Sequence, residues 1–152
     1  MRNFHIEYRN YLELFQINEL AVKSPESFVM RCEKGYRDHI SDAADTVVSR
    51  MGISRVVMLA GPSSSGKTTT AHRLTDELKM RGIHAETISM DDYFQTVDRT
   101  DNTIDYEAPE RMDIELLREH IAMLDAGAQI DIPHFDFTTG IQSKGSRSLK
   151  LG

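Results

Sequence analysis

From Ser24 onward the polar and apolar positions first repeat at the helical period. Phe28, Val29, Cys32, Tyr36, His39, Ile40, Ala43, Val47 and Val48 recur at spacings of three and four up to Arg50, the signature of a helix with one apolar face. Ser24-Pro25 supplies an N-cap residue and a proline at the first helical position, and Gly52 supplies a stop. Tyr8 to Phe15 carries a shorter amphipathic pattern of the same kind. After Gly52 the period changes. Arg55-Val56-Val57-Met58-Leu59-Ala60 is a short apolar, β-branched run suited to a strand buried on both faces of a parallel sheet. Thr69 to Arg81 then places Ala71, Leu74 and Leu78 on one helical face and stops at Gly82. Residues 85–90 read as a second strand, with Thr87, Ser89 and Asp91 on one side and Asp91 at its carboxyl end. A polar loop follows through Glu107, then a helix from Pro109 or Asp113 to Asp125, and Gly127. The last extended piece, Gln129 to Phe137, contains Pro133 and suits an edge or a hairpin.

Strand, helix and strand in alternation predict an α/β fold: a parallel sheet with flanking helices over residues 53–152, preceded by a helical extension or linker over residues 1–52. The turn between the first strand and its helix narrows the chemistry. Gly61-Pro62-Ser63-Ser64-Ser65-Gly66-Lys67-Thr68 is a complete G-x-x-x-x-G-K-[ST] phosphate-binding loop in the strand-to-helix context that the motif requires. Its glycines let successive backbone N–H groups curl around an anion, and the helix N-terminus adds partial positive charge. Gly61, Ser63, Ser64, Ser65, Gly66, Lys67, Thr68 and Thr69 are therefore the candidate nucleotide-binding residues. Lys67 is placed to reach the β- and γ-phosphates and the Thr68 hydroxyl to ligate Mg²⁺.

Composition excludes several other classes. The chain has 152 residues, 24 acidic and 18 basic, for a formal charge of −6, which argues against binding to nucleic acid or to an anionic membrane. No apolar run approaches the roughly 18 residues of a membrane span, and the N-terminus lacks a basic-then-apolar leader pattern. The single Cys32 has no partner for an internal disulfide and no zinc-type neighbours, so a reducing cytoplasm fits and Cys32 is expected to be a buried apolar residue.

A phosphate loop serves many reactions, and the acceptor side must distinguish them. Asp91, at the sheet edge where open α/β folds bind ligands, could take the proton of an acceptor hydroxyl as the γ-phosphoryl moves. Four ordered stretches, Gly61 to Thr69, Ile88 to Phe94, Asp105 to Asp113 and Pro133 to Phe137, resemble in order and spacing the uridine kinase branch of the phosphoribulokinase and uridine kinase family. The resemblance covers about residues 53–152. It implies a P-loop kinase that uses ATP and Mg²⁺, with Asp91 as general base toward a nucleoside hydroxyl and as a magnesium residue, and with Lys67 and Thr68 as phosphate and magnesium residues. Glu107 stands where the family has an Asp that binds the ribose hydroxyls. Phe135 stands where it has a Tyr, keeping a stacking face and losing a hydroxyl. Gly140 and Gln142 stand where it has a base-contacting His and a nearby Arg, so uridine should be discriminated poorly and the acceptor is a nucleoside or another small hydroxyl compound.

The Thr138-Thr139-Gly140 version of the last motif is similar to longer bacterial proteins. In those, a kinase domain of this type follows a segment resembling the N-terminal part of threonyl-tRNA synthetase, and residues 1–52 resemble the tail of such an upstream domain. The resemblance also implies that a strand with a magnesium-site acid and a lid with arginines would follow Gly152. The chain is thus expected to be the N-terminal part of a kinase domain, incomplete at its C-terminus, inactive alone and with apolar faces partly uncovered. Assembly as a homo-oligomer stays open. Two other function classes remain beside the kinase: a GTPase-type switch, for which Asn102-Thr103-Ile104-Asp105 lacks the Lys of the guanine-reading pattern, and a nucleotide-binding regulatory module without turnover.

Overall fold

The computed structural model describes residues 13–98, 105 and 108–151. The expected helix from Tyr8 and the sugar-binding candidate Glu107 lie wholly or partly outside them. The chain divides into two compact units, one up to Asp42 and one from Ala43.

In the first unit, helix α1 (Leu14–Lys23) begins at Glu13, whose backbone N–H donates to Gln16 Oε1 at 3.0 Å. Helix α2 (Pro25–Arg50), whose residues from Ala43 on belong to the second unit, starts where the Ser24-Pro25 signal places it, and the Ser24 carbonyl accepts the Phe28 N–H at 3.0 Å. Exposed i,i+4 pairs run along these helices, Lys23 with Glu19 and Lys34 with Asp38, both at 2.6 Å, adding a few tenths of a kcal/mol each. The apolar stripe is less buried than its period suggests. Ile40 is buried, whereas Val29 and Cys32 are exposed. The expectation of a buried Cys32 is therefore corrected: its position faces solvent.

In the second unit, helix α3 (Lys67–Met80) begins at Gly66 and buries Thr75 and Leu78, with Ala71 and Leu74 half-buried on the same face. It ends as the sequence signals. Gly82 takes φ 78°, its N–H donates to Lys79 O, and the Ile83 N–H donates to Leu78 O, closing the last turn on its own carbonyls. Arg81, at this end, pairs with Glu77 at 3.0 Å and with Asp45 of the second unit. Helix α4 (Ile114–Asp125) is capped by Asp113, whose carboxylate accepts the Leu116 N–H at 3.0 Å; Pro109–Arg111 before it is a separate 3₁₀ turn.

Strand β1 (Gln129–Asp136) and strand β2 (Ile141–Lys150) form an antiparallel hairpin, and the pairing slips between Ile132 and His134, at Pro133, which has no N–H to give the ladder. Tyr93, Leu124, Ile130, Ile132 and Leu149 make the core, with Ile88, Met112, Leu116, Leu117, Met123 and Leu151 packed against it. The core thus lies between the hairpin, α4 and the 3₁₀ turn Met90–Tyr93.

The parallel sheet is where structure and expectation part. Residues 55–60 and 85–89 are in no strand, and the hairpin is the sheet seen among the described residues. Their composition is strand-like, but a strand exists only through hydrogen bonds to a neighbour. Among the described residues no strand pairs with the first segment: Val56, Val57 and Leu59 are exposed and Met58 is 81% exposed. Asp91 accordingly does not end a strand; it belongs to the 3₁₀ turn.

Candidate active site

Residues 61–66 fold as a tight loop running into α3. Gly61 lies close under the loop: a β-carbon there would stand 2.8 Å from Ser65 Oγ, so that the hydroxyl would have to turn away, and in ordinary contact with Lys67 Cγ at 3.5 Å. Ser64 and Gly66 take left-handed conformations at φ 58° and 83°, and the Ser65 N–H donates to Pro62 O at 3.3 Å. Glycine is the residue that holds such a conformation without steric cost. The first N–H groups of α3, at Lys67, Thr68 and Thr69, point along the helix axis without intrahelical acceptors; the first ladder bond, from the Thr70 N–H, reaches Gly66 O at 2.9 Å. Lys67 is half-buried and its ammonium donates to the Gly61 and Pro62 carbonyls, both at 2.8 Å. Loop, helix start and ammonium together present donors and positive charge, and this fits a polyphosphate.

The second candidate group is the turn Met90–Tyr93. Ser89 caps it, its hydroxyl accepting the Asp91 N–H at 3.3 Å. Asp91 is exposed and its carboxylate has no partner among the described residues. Its neighbours are held. The Asp92 carboxylate lies 3.1 Å from His134 Nδ1 on β1, and the Asp92 carbonyl accepts from Gln142 Nε2 on β2 at 3.5 Å. Tyr93 is fully buried, with its hydroxyl 2.9 Å from Nδ1 of the buried His120 on α4 and the two rings edge to face. Burial pushes the Tyr93 phenol up, and the Asp92 charge adds to this. Beyond the turn, Phe94 bridges to Met112, the Asp113 N–H donates to Tyr93 O and the Gln95 N–H to Arg111 O, both at 2.8 Å.

Phe135 is 3% exposed and its ring packs on Phe94 and Phe137, with ring centroids 5.5 and 4.8 Å away. Of these rings Phe137 is the one turned outward, at 52% exposure. The hairpin turn is fixed by Asp136, which accepts the Thr138 N–H at 2.7 Å and the Thr139 hydroxyl at 2.9 Å while its own carbonyl accepts the Gly140 N–H at 2.7 Å. Those donors, the backbone one foremost, hold the Asp136 carboxyl below its usual range.

The structure thus gathers Gly61 to Thr69 at one helix start and Asp91 on a turn held by α4 and the hairpin. Among the described residues no three His, Cys, Asp or Glu side chains gather as a metal cluster; Thr68 and Asp91 would have to hold an ion together with nucleotide oxygens. Sequence reasoning missed His120, His134 and the turn-holding role of Asp92. Their pairings span 27 and 42 residues, and no short-range spacing signals them.

Comparison with known proteins identifies the family. The Phosphoribulokinase / Uridine kinase family matches residues 56–149. The uridine kinase of Deinococcus deserti is 35% identical over 104 residues, covering 64% of this chain and 48% of that protein. The uridine kinase of Halobacterium salinarum is 34% identical over 90 residues, covering 55% and 38%. The chain therefore spans about half the length of these relatives. In fold it resembles a crystal structure from Silicibacter sp. TM1040, provisionally named a fructose transport system kinase, with a TM-score of 0.60 over 73% of this chain and 57% of that one at 22% identity. No described helix is long and apolar enough to cross a membrane. A family match that runs from the strand-type segment before the phosphate loop through both strands of the hairpin leaves one assignment: the chain belongs to the phosphoribulokinase and uridine kinase family.

Proposed function

We propose that this chain carries the phosphate-binding and base-bearing parts of an ATP- and Mg²⁺-dependent kinase acting on a hydroxyl of a nucleoside or similar small molecule. The observation that carries the reading is the loop itself: Gly61 packed against the Ser65 hydroxyl, a left-handed Gly66 at the helix start and Lys67 over the loop carbonyls. Bound ATP supplies the phosphoryl group. Gly61, Ser63, Ser64, Ser65, Gly66 and Thr69 would hold its phosphates, Lys67 would offset the charge on the transferring group, and Thr68 with Asp91 would hold Mg²⁺. Asp91 accepts the proton of the acceptor hydroxyl as its oxygen bonds to phosphorus and ADP departs. Its exposure leaves it open to an acceptor, whereas Asp92 is turned to the hairpin. Glu107 and Phe135 are the residues assigned to sugar and base, by their place in the family motifs.

The test is ADP release with ATP or GTP across a panel of nucleosides and small polyols. Preference for ATP with an acceptor other than uridine supports the reading, and preference for GTP with no acceptor dependence would replace it with a GTPase-type switch. A binding module without turnover is the second reading, favoured by the packing of Phe135 into an aromatic cluster and of Gln142 against Asp92. MgATP binding without ADP release for any acceptor, in a protein that also supplies the half of the relatives' length this chain does not span, would select it.

A further inference from the structure

We infer that His134 and Gln142 are positioning residues: together they clip the hairpin onto Asp92 and so set the direction in which Asp91 presents its carboxylate. The contacts converge on one residue. Asp92 is gripped by its carboxylate from His134 Nδ1 at 3.1 Å and by its carbonyl from Gln142 Nε2 at 3.5 Å. In the register, Phe135 pairs with Gln142 and His134 with Ser143, so both grips come from adjacent rungs of one hairpin. The Ser143 hydroxyl donates to the His134 carbonyl at 3.3 Å, tying the rung that bears the imidazole.

The geometry favours positioning over mere stability. The His134 side chain is 57% exposed, and an ion pair or hydrogen bond at such a site adds little to folding. It does fix direction, because Asp91 is the immediate neighbour of the clipped residue in a four-residue turn. From the other side Ser89 Oγ holds the Asp91 N–H at 3.3 Å, leaving the Asp91 carboxylate without a partner among the described residues, between two anchors. Gln142 gains a purpose here: at a position where the resembled family has an Arg, its amide is turned to the turn's backbone.

The proposal rests on the reading of Asp91 as base, and its test separates the two. The probe is the NMR spectrum of the chain without nucleotide, with the Asp91 carboxylate and amide resonances followed in His134→Ala, His134→Asn and Gln142→Ala. Asn is chosen because its side-chain nitrogen can stand where Nδ1 stands while carrying no ring current. His84→Ala serves as the control for an exposed histidine elsewhere in the unit. The expected result is displaced and broadened Asp91 signals in His134→Ala, a smaller displacement in Gln142→Ala, recovery in His134→Asn and none in the control, with the Ile132 and Leu149 methyls unmoved. Unchanged Asp91 signals in His134→Ala, or no recovery in His134→Asn, would overturn the clip. With an acceptor identified, His134→Ala should lower kcat about tenfold at constant KM for ATP, and His134→Asn should restore it. If MgATP leaves the Gly61 and Gly66 amides unmoved while Asp91 still responds to His134, the kinase reading fails and the clip stands.

Discussion

The phosphate loop and the turn that carries Asp91 are built by opposite means. The loop is local and made of backbone: eight consecutive residues, two left-handed conformations and a helix start set its shape, and its side chains are mostly exposed. The Met90–Tyr93 turn is non-local and made of side chains: His120, His134 and Gln142 reach it from α4, β1 and β2 across 27 to 50 residues. Phosphate is the same group in every nucleotide, so backbone donors suffice. An acceptor hydroxyl must be met at one angle, and that angle depends on packing.

The comparison breaks most sharply at Lys67. Lys67→Ala should reduce phosphoryl transfer at least a hundredfold, about 3 kcal/mol or more, while the fold is retained; ADP release and thermal melting check both halves. Equal turnover by the variant would remove the loop from the reaction. A core change should do the reverse. Ile132→Ala, in the centre of the hairpin core, should cost about 3 kcal/mol of stability in urea titration and leave the Gly61 and Gly66 amide shifts in place below the transition.

A finer cut separates the turn from its support. Tyr93→Phe leaves buried His120 Nδ1 without its partner and should cost about 1–2 kcal/mol, again by urea titration, with the Asp91 signals displaced. Because the folded Tyr93 phenol is raised above its ordinary 10.0, its stabilising contribution is present below about pH 10 and lost as pH rises through the folded value; phenolate absorbance should show a late step that Tyr93→Phe removes. The smallest effect concerns the hairpin end. Asp136 is held below its ordinary 3.8, so its support of the turn is present above that pH and lost as pH falls through the lower folded value. Protection of the Thr138 amide, its exchange taken relative to the intrinsic rate at each pH, should therefore fall on acidification below about pH 4, and Asp136→Asn should flatten that response.

The local half of the molecule was legible. The phosphate loop and the Gly66 to Gly82 limits of α3 follow from residues within a few positions of one another; the sequence pattern allows α4 to start at Pro109 or Asp113 and β1 to be an edge or hairpin piece, and it carries no sign of the partner strand β2. Legibility failed where a structure depends on a distant neighbour. Residues 55–60 have strand composition and no strand, because no second backbone lies beside them among the described residues. Cys32 carries the helical period of a buried face and is exposed, since a stripe is buried only by what packs on it. His134 sat inside a motif noticed for Phe135, and its link to Asp92 needed the fold.

Pro133 does more than interrupt a ladder. Ile130 and Ile132 face the core on one side of it and Phe135 does so on the other, so inward residues change from even to odd numbers at the slipped rung. Without that change of phase, continued alternation would send His134 into the core and Phe135 outward. One strand can therefore fill the core with its first half and offer an imidazole to the Asp92 carboxylate with its second. Straightening the slipped rung into regular pairing with every residue kept would exchange the two faces beyond it and cost the aromatic cluster and the histidine contact in one step.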